Sequence, residues 1–219
     1  MNIPKEWTFK SAEVAGEFNL HVREQLPWYD IATRSVVHFG RHYIPQGGRI
    51  YDIGASNGNI GRALAEIITA RKCELVGIEE SAEMAVQYNA PGELVIGDVT
   101  EHEFKPFDFA VCFLILMFLP ISKRGALMQR LAQLIKPGGA IVVVDKINTA
   151  PGYYGTAARR LAMQWKMDNG VAPENIIEKE LSLAGHQRPI DPAILTPYAR
   201  QFFQFGEFAG WVIESRINE

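Results

Sequence analysis

The sequence predicts an α/β fold: a mostly parallel sheet covered by helices on both faces, with a C-terminal antiparallel hairpin and a helical N-terminal cap. Three observations carry this. Between residues 49 and 145, short runs continuous in apolar residues alternate with helical patterns, which is how strands buried on both faces of a parallel sheet read. The first of these runs ends in a glycine-rich loop that opens a helix. Near the end of the chain, residues 201–205 and 208–214 form two aromatic runs around Gly206-Glu207, the pattern of a hairpin on the sheet edge.

In chain order, the stretch from about Ser11 to Tyr43 is helical and rich in aromatics. Val14, Phe18, Val22 and Leu26 recur every four residues until Pro27 breaks the run. A second helix starts near Asp30 as its N-cap, carries Ile31, Val36, Val37 and Phe39, and ends at Pro45-Gln46-Gly47-Gly48. Strands follow at 49–53, 75–78, 94–96, 107–113 and 140–144. Between them run a helix through Ile60, Leu64, Ile67 and Ile68, one from Ser81 through Met84 and Val86, and one over 122–135. Lys136-Pro137-Gly138-Gly139 stops the last of these. Beyond the fifth strand, helices are expected over 153–165 and 174–184, with a break at 170–173. No linker-like composition divides the chain, so residues 1–219 are read as one domain. Its cap is 1–46 and its core 47–219, with an insertion at about 146–196.

Composition narrows the function. With 47% hydrophobic and 21% charged residues in 219, the chain is of globular type and long enough to bury a full core. A net charge of −3 and a pI near 6.0 give no general drive toward nucleic acid or anionic membrane. The apolar run 109–119 is too short to span a bilayer of ~30 Å as a helix. The first ten residues have no apolar signal-peptide region. Cys73 and Cys112 read as buried thiols rather than a disulfide framework, and a cytoplasmic location is the expectation. His21, His38, His42, His102 and His186 show no metal-ligand spacing, so no metal is expected.

The chemistry lies in a strand, glycine loop, helix, strand and acid. Asp52-Ile53-Gly54-Ala55-Ser56-Asn57-Gly58 follows the first strand, and its glycines let backbone approach a ligand while the helix start offers amides to a carboxylate or phosphate. The second strand ends at Glu79-Glu80, where a carboxylate can accept from both hydroxyls of a ribose. Glu79 is assigned to the ribose. Glu80 is either part of the same site or a solvated helix start. The third strand ends at Gly97-Asp98-Val99, within reach of an adenine edge. The glycine spacing is not the dinucleotide-binding G-x-G-x-x-G.

That order of motifs resembles the class I S-adenosylmethionine-dependent methyltransferases. The supporting stretches are the acid-plus-glycine loop 52–58, Val76-Gly77-Ile78-Glu79-Glu80-Ser81 with Met84, Gly97-Asp98-Val99, and Leu134-Ile135-Lys136-Pro137-Gly138-Gly139. The resemblance implies a Rossmann-like, seven-stranded fold with S-adenosyl-L-methionine as cofactor, held around Asp52, Gly54, Ala55, Ser56, Gly58, Glu79, Glu80, Met84, Asp98, Val99 and Phe113. Trp7-Thr8-Phe9, Leu26-Pro27-Trp28-Tyr29, Asp145-Lys146 and Gln204-Phe205-Gly206 are in addition similar to the carboxy-S-adenosylmethionine synthases, which serve tRNA wobble-uridine modification. That similarity implies Tyr29 beside the sulfonium end of the cofactor. It also implies an arginine for the added carboxylate at a position where this chain has Glu180, and an asparagine where it has Phe113. A glutamate repels a carboxylate that arginine would pair with. The expectation is therefore unmodified S-adenosyl-L-methionine.

Candidate acceptor-binding residues are Trp28, Lys146, Tyr153 and Tyr154. For Lys146 the alternative is an exposed lysine, and for the two tyrosines surface aromatics. Arg159-Arg160 with Lys166 read as a solvated basic face or a surface for an anion. Transfer from a sulfonium needs alignment and exclusion of water more than a base, so no catalytic residue is named. Methyl transfer to a small molecule leads. The alternatives are a carboxy-S-adenosylmethionine synthase or tRNA-modifying enzyme, tRNA being the one nucleic acid in view, and a non-catalytic binding domain. No membrane partner is expected. The aromatic cap and Phe202, Phe203, Phe205 and Phe208 either leave a patch for a homodimer or pack internally.

Overall fold

The computed structural model describes residues 3–215. The strands are β1 (Arg49–Ile53), β2 (Glu74–Glu79), β3 (Glu93–Ile96), β4 (Phe107–Phe113), β5 (Ile135–Lys146), β6 (Arg200–Phe205) and β7 (Phe208–Glu214). They form one seven-stranded sheet in the order β3-β2-β1-β4-β5-β7-β6. β1 to β5 pair in parallel, and β7 runs antiparallel between β5 and the edge strand β6. β4 shows why the pattern specifies this arrangement: all seven of its residues are buried. Phe109, Val111 and Phe113 pack into one core with Tyr29, Val36 and Val142, while Ala110 and Cys112 pack into the other with Ile53, Leu127 and Ile141. Each buried valine, leucine, isoleucine or phenylalanine among them contributes about 1.5–3 kcal/mol, so a charge at Val111 would break the sheet at its centre.

The helices are α1 (Ala12–Gln25), α2 (Tyr29–Tyr43), α3 (Asn59–Ala63), α4 (Ala65–Arg71), α5 (Ala82–Val86), α6 (Ile121–Leu134), α7 (Tyr153–Asp168) and α8 (Pro173–Ser182). Ser11 caps α1 by accepting from the Val14 amide. Asp30 does not cap α2. The helix starts at Tyr29, and Asp30 instead pairs with Arg23 at 3.0 Å. The helix after the glycine loop is two helices, broken at Leu64. Lys136-Pro137-Gly138-Gly139 ends α6 but is not a loop; it bulges within β5, which pairs at Ile135 with Phe107 and again from Ala140 with Phe109. Cys112 is buried, whereas Cys73 is only half-buried, in the turn before β2. The aromatic hairpin packs inward: Trp28 meets Phe203 and Phe208 at 5.4 and 4.8 Å between ring centres.

From β1 the chain runs outward through β2 and β3 and then returns to place β4 on the other side of β1, so the strand order reverses there. The crevice outside the strand ends at such a switch point is where open α/β sheets take ligands. α1, the segment before it, and the insertion carrying α7 and α8 close over that crevice. None of the helices among the described residues is long and apolar enough to cross a membrane.

Candidate functional site

A cavity of about 880 Å³ opens there. Its floor is built by the loop after β1 and the ends of β2, β3 and β4. Glu79, the last residue of β2, is its hub: Oε2 accepts from the Ser56 amide and Oε1 from the Ser81 amide, both at 2.8 Å. One carboxylate thus ties the glycine loop to the start of α5, which Ser81 caps by accepting from the Met84 amide. Burial raises the Glu79 carboxyl above its usual range, against the pull of those amides.

Four amides of the loop are already used. Those of Gly54 and Ala55 donate to the Ile78 carbonyl, that of Ser56 to Glu79, and that of Gly58 to Ala55. What the floor leaves open is side-chain chemistry. Asp52 Oδ2, Ser56 Oγ and Asn59 Nδ2 are buried without a hydrogen-bond partner. Asp52 is almost fully buried, and burial pushes its carboxyl up to about 7, against the Gly61 amide. The Tyr29 hydroxyl, raised to about 12 by burial, is drawn down by Arg23 and by the Asn59 side chain beside it. Its ring stands edge-on to Phe113 at 5.2 Å. Acceptor, hydroxyl and amide groups gathered here match an ammonium and a carboxylate, the two ends of an amino-acid tail. At the third strand, Asp98 Oδ1 accepts from the Thr100 amide and hydroxyl at 2.8 Å, and Lys123 lies 3.6 Å from Oδ2. Burial would raise this carboxyl, but Thr100 and Lys123 together hold it below its ordinary value.

Of the residues the sequence proposes, Tyr29, Asp52, Gly54, Ala55, Ser56, Glu79, Glu80, Met84, Asp98, Val99 and Phe113 all line the cavity. Glu80 does so while exposed and paired with Lys10 at 3.0 Å. Gly58 does not line it. Its φ of +88° and its fit against Ala90, where an added Cβ would lie 2.8 Å away, make it a packing glycine. Trp28 and Lys146 line the upper part. Lys146 is not the exposed lysine: it is mostly buried, donates to Gln187 Oε1 at 2.7 Å, and lies 3.6 Å from Glu207. Tyr153 and Tyr154 are exposed and outside the cavity. α7 instead turns Lys166 inward, where it meets Glu180 at 3.0 Å, and sets Arg159, still exposed, at the cavity's edge 3.7 Å from Glu207. Arg160 stays outside. Asn59 was missed, although it directly follows the loop motif as the first residue of α3. The wall at the end of β4 is held by Asp145, which accepts from the Leu116, Met117 and Lys146 amides and is pushed by burial up to about 7.

Residues 50–139 match the family described as a methyltransferase domain. The carboxy-S-adenosyl-L-methionine synthase of Staphylococcus epidermidis is 28% identical over 192 residues, covering 85% of this chain and 84% of that one. The structure of human N-acetylserotonin methyltransferase, in complex with S-adenosylmethionine, shares the fold at a TM-score of 0.59 and 12% identity, over 94% of this chain and 57% of that one. Magnesium protoporphyrin IX methyltransferase from Synechocystis, with bound S-adenosylhomocysteine, gives 0.54 and 15%, over 84% and 81%. The motifs at 52–58, 76–84, 97–99 and 134–139 fall within the residues that match a methyltransferase domain, and over most of its length the chain is similar to a carboxy-S-adenosyl-L-methionine synthase and shares its fold with S-adenosylmethionine-dependent methyltransferases.

Proposed function

We propose that this enzyme transfers a methyl group from S-adenosyl-L-methionine to a small-molecule acceptor by in-line displacement. The observation that carries the reading is Glu79, seated between the Ser56 and Ser81 amides, with Asp52 Oδ2 and Asn59 Nδ2 buried without partners in the same cavity. When bound, S-adenosyl-L-methionine supplies a methyl group activated by a sulfonium. Glu79 would accept from the ribose hydroxyls, Asp52 from the ammonium, and Asp98 from the adenine amine. Ser56 and Asn59 would donate to the carboxylate. Tyr29 and Phe113 form a dry wall, and the cap over the floor excludes water from the transfer. Alignment within that enclosure is the main contribution of the chain's residues.

The experiment is calorimetry with S-adenosylmethionine followed by a labelled-methyl assay on a panel of small acceptors. Binding followed by transfer is the expected result; binding without transfer to any acceptor would point to a non-catalytic domain. A second reading, formation of a carboxylated cofactor, is favoured by the similarity to the synthases. Against it stands Glu180, which faces the cavity and is engaged by Lys166. Incubation with S-adenosylmethionine and prephenate, read by mass spectrometry, separates the two: a carboxylated product would replace the methyl-transfer reading. Cytoplasmic location, a tRNA partner and a homodimer stay expectations of the sequence, testable by fractionation, tRNA binding and sedimentation.

A further inference from the structure

The cavity is charged unevenly. Its floor holds Asp52, Glu79, Glu80 and Asp98, with Lys10 beside them. Its roof, beneath α1, α7 and α8, holds Lys146, Arg159, Lys166 and Lys179 against Glu180 and Glu207. A cationic cofactor suits the floor and is ill-suited to the roof. Three of the four roof cations lie near a carboxylate: Lys166 at 3.0 Å from Glu180, and Lys146 and Arg159 at 3.6 and 3.7 Å from Glu207. Lys179 has no such ion pair among the described residues. It is buried at 7% exposure, with its Nζ over the Trp7 ring, and Trp7 in turn stacks on His21 at 5.6 Å.

The surroundings of Lys179 are also short of partners. Trp7 Nε1, His21 Nε2 and, one turn further along α1, Gln25 Oε1 are buried with no hydrogen bond. All three side chains line the same cavity as Lys179. Buried polar groups are satisfied in the large majority of cases, and orphans on Trp7 and His21 next to one unpaired amine, with a third on Gln25 in the same cavity, ask for a ligand. Beside the cluster, Phe9 meets Phe18 and Phe118 edge-on at 6.1 and 5.0 Å, an apolar wall able to pack against a ring.

We propose that the roof is the acceptor subsite and takes the anionic head, carboxylate or phosphate, of a small ring-bearing molecule, with Lys179 as the cation that holds it. This rests on the methyl-transfer reading of the floor, and it places the anion on the acceptor rather than on the cofactor. The Trp7 face favours an ammonium, but burial outweighs it and, with the Lys166 charge, lowers the amine to about 5. Around it stand Lys166 on α7, Glu180 on α8 already engaged by Lys166, and His21 on α1, itself kept neutral by burial with a value near 3. An anion seated at Nζ supplies the missing counter-charge, so the neutral amine gains a proton as the anion binds. Binding at pH 7 is therefore coupled to uptake of one proton from solvent.

The test is titration calorimetry of the protein loaded with S-adenosylhomocysteine, using benzoate, phenyl phosphate and the neutral benzamide as probes. Benzoate is also titrated at pH 7 in two buffers of different ionisation heat. The expected result is saturable binding of benzoate or phenyl phosphate, whichever head group fits, at least about tenfold tighter than benzamide. Proton uptake should approach one per site. Lys179→Met should weaken the anion about tenfold or more and abolish the uptake, while Lys179→Arg, permanently charged, should keep the affinity without uptake. Affinity for S-adenosylhomocysteine should stay within about twofold in both variants, which also reports folding. Benzamide binding as tightly as the anions, no anion binding, or uptake that persists in Lys179→Met would overturn the proposal. If S-adenosylhomocysteine itself does not bind, the methyl-transfer reading falls, and the same titrations without it still decide the role of Lys179.

Discussion

Replacing Glu79 with alanine tests the floor most directly. The carboxylate holds the Ser56 and Ser81 amides at 2.8 Å on its two oxygens. Each oxygen keeps a further lone pair for a ribose hydroxyl. Hydrogen bonds to a charged group contribute about 1.5–3 kcal/mol each. Losing two at the sugar, with some recovery by water, leaves about 2–4 kcal/mol, or roughly 30- to 1,000-fold in affinity. The alanine also strands two amides, so the loop between β1 and α3 should loosen and the melting temperature should fall. Glu79→Gln keeps the volume and one acceptor but turns a donor toward the other amide, and about tenfold is expected of it. Calorimetric titration of both variants with S-adenosylhomocysteine, beside thermal melts, gives both quantities. A folded Glu79→Ala that binds within twofold of the parent would refute the assignment of this carboxylate to the sugar.

Asp52, pushed up to about 7 by burial, is mostly protonated below that pH in the empty site, whereas an ammonium needs it ionised. Cofactor affinity should therefore rise between pH 6 and 8. The unfolded chain releases this proton near its ordinary value and the folded one only near 7, so Asp52 makes stability fall as pH climbs between about 4 and 7. Asp52→Asn should flatten both trends, and identical slopes in parent and variant would count against the assignment. Gly58→Ala forces a side chain onto φ +88° and to 2.8 Å from Ala90, which should cost about 1–3 kcal/mol in a melt while the folded fraction binds S-adenosylhomocysteine normally. Exchanging Tyr153 and Tyr154 for serine should change stability by no more than about 0.5 kcal/mol and leave cofactor affinity intact, since both are exposed and off the cavity.

The floor was legible because its signals are local. An apolar strand such as β4 is buried along its length, and a Ser81 placed three residues before Met84 reads as a cap from spacing alone. Gly58 misleads because close approach to a ligand and close approach to the 88–90 segment demand the same residue. The roof was less legible for a different reason. Arg159, Ala162, Met163 and Lys166 recur at helical spacing and do face the cavity, but they form no apolar stripe, while Leu161 and Met167 on the same helix stay exposed. Periodicity cannot say which side of such a helix points inward. Lys179 lies far along the sequence from Trp7 and His21, and only the packing of α8 and the leading segment against α1 brings the three together.

The direction of β7 has a practical side. Because it runs against β5, Phe208 pairs with Lys146 at the ligand edge and Glu214 with Ala140 at the far edge. Trp7, by contrast, donates its amide to the Ser182 carbonyl on the roof. A fluorophore attached at Ser215 therefore sits away from the chemistry, whereas a group fused ahead of Trp7 would crowd the cavity that Trp7 lines.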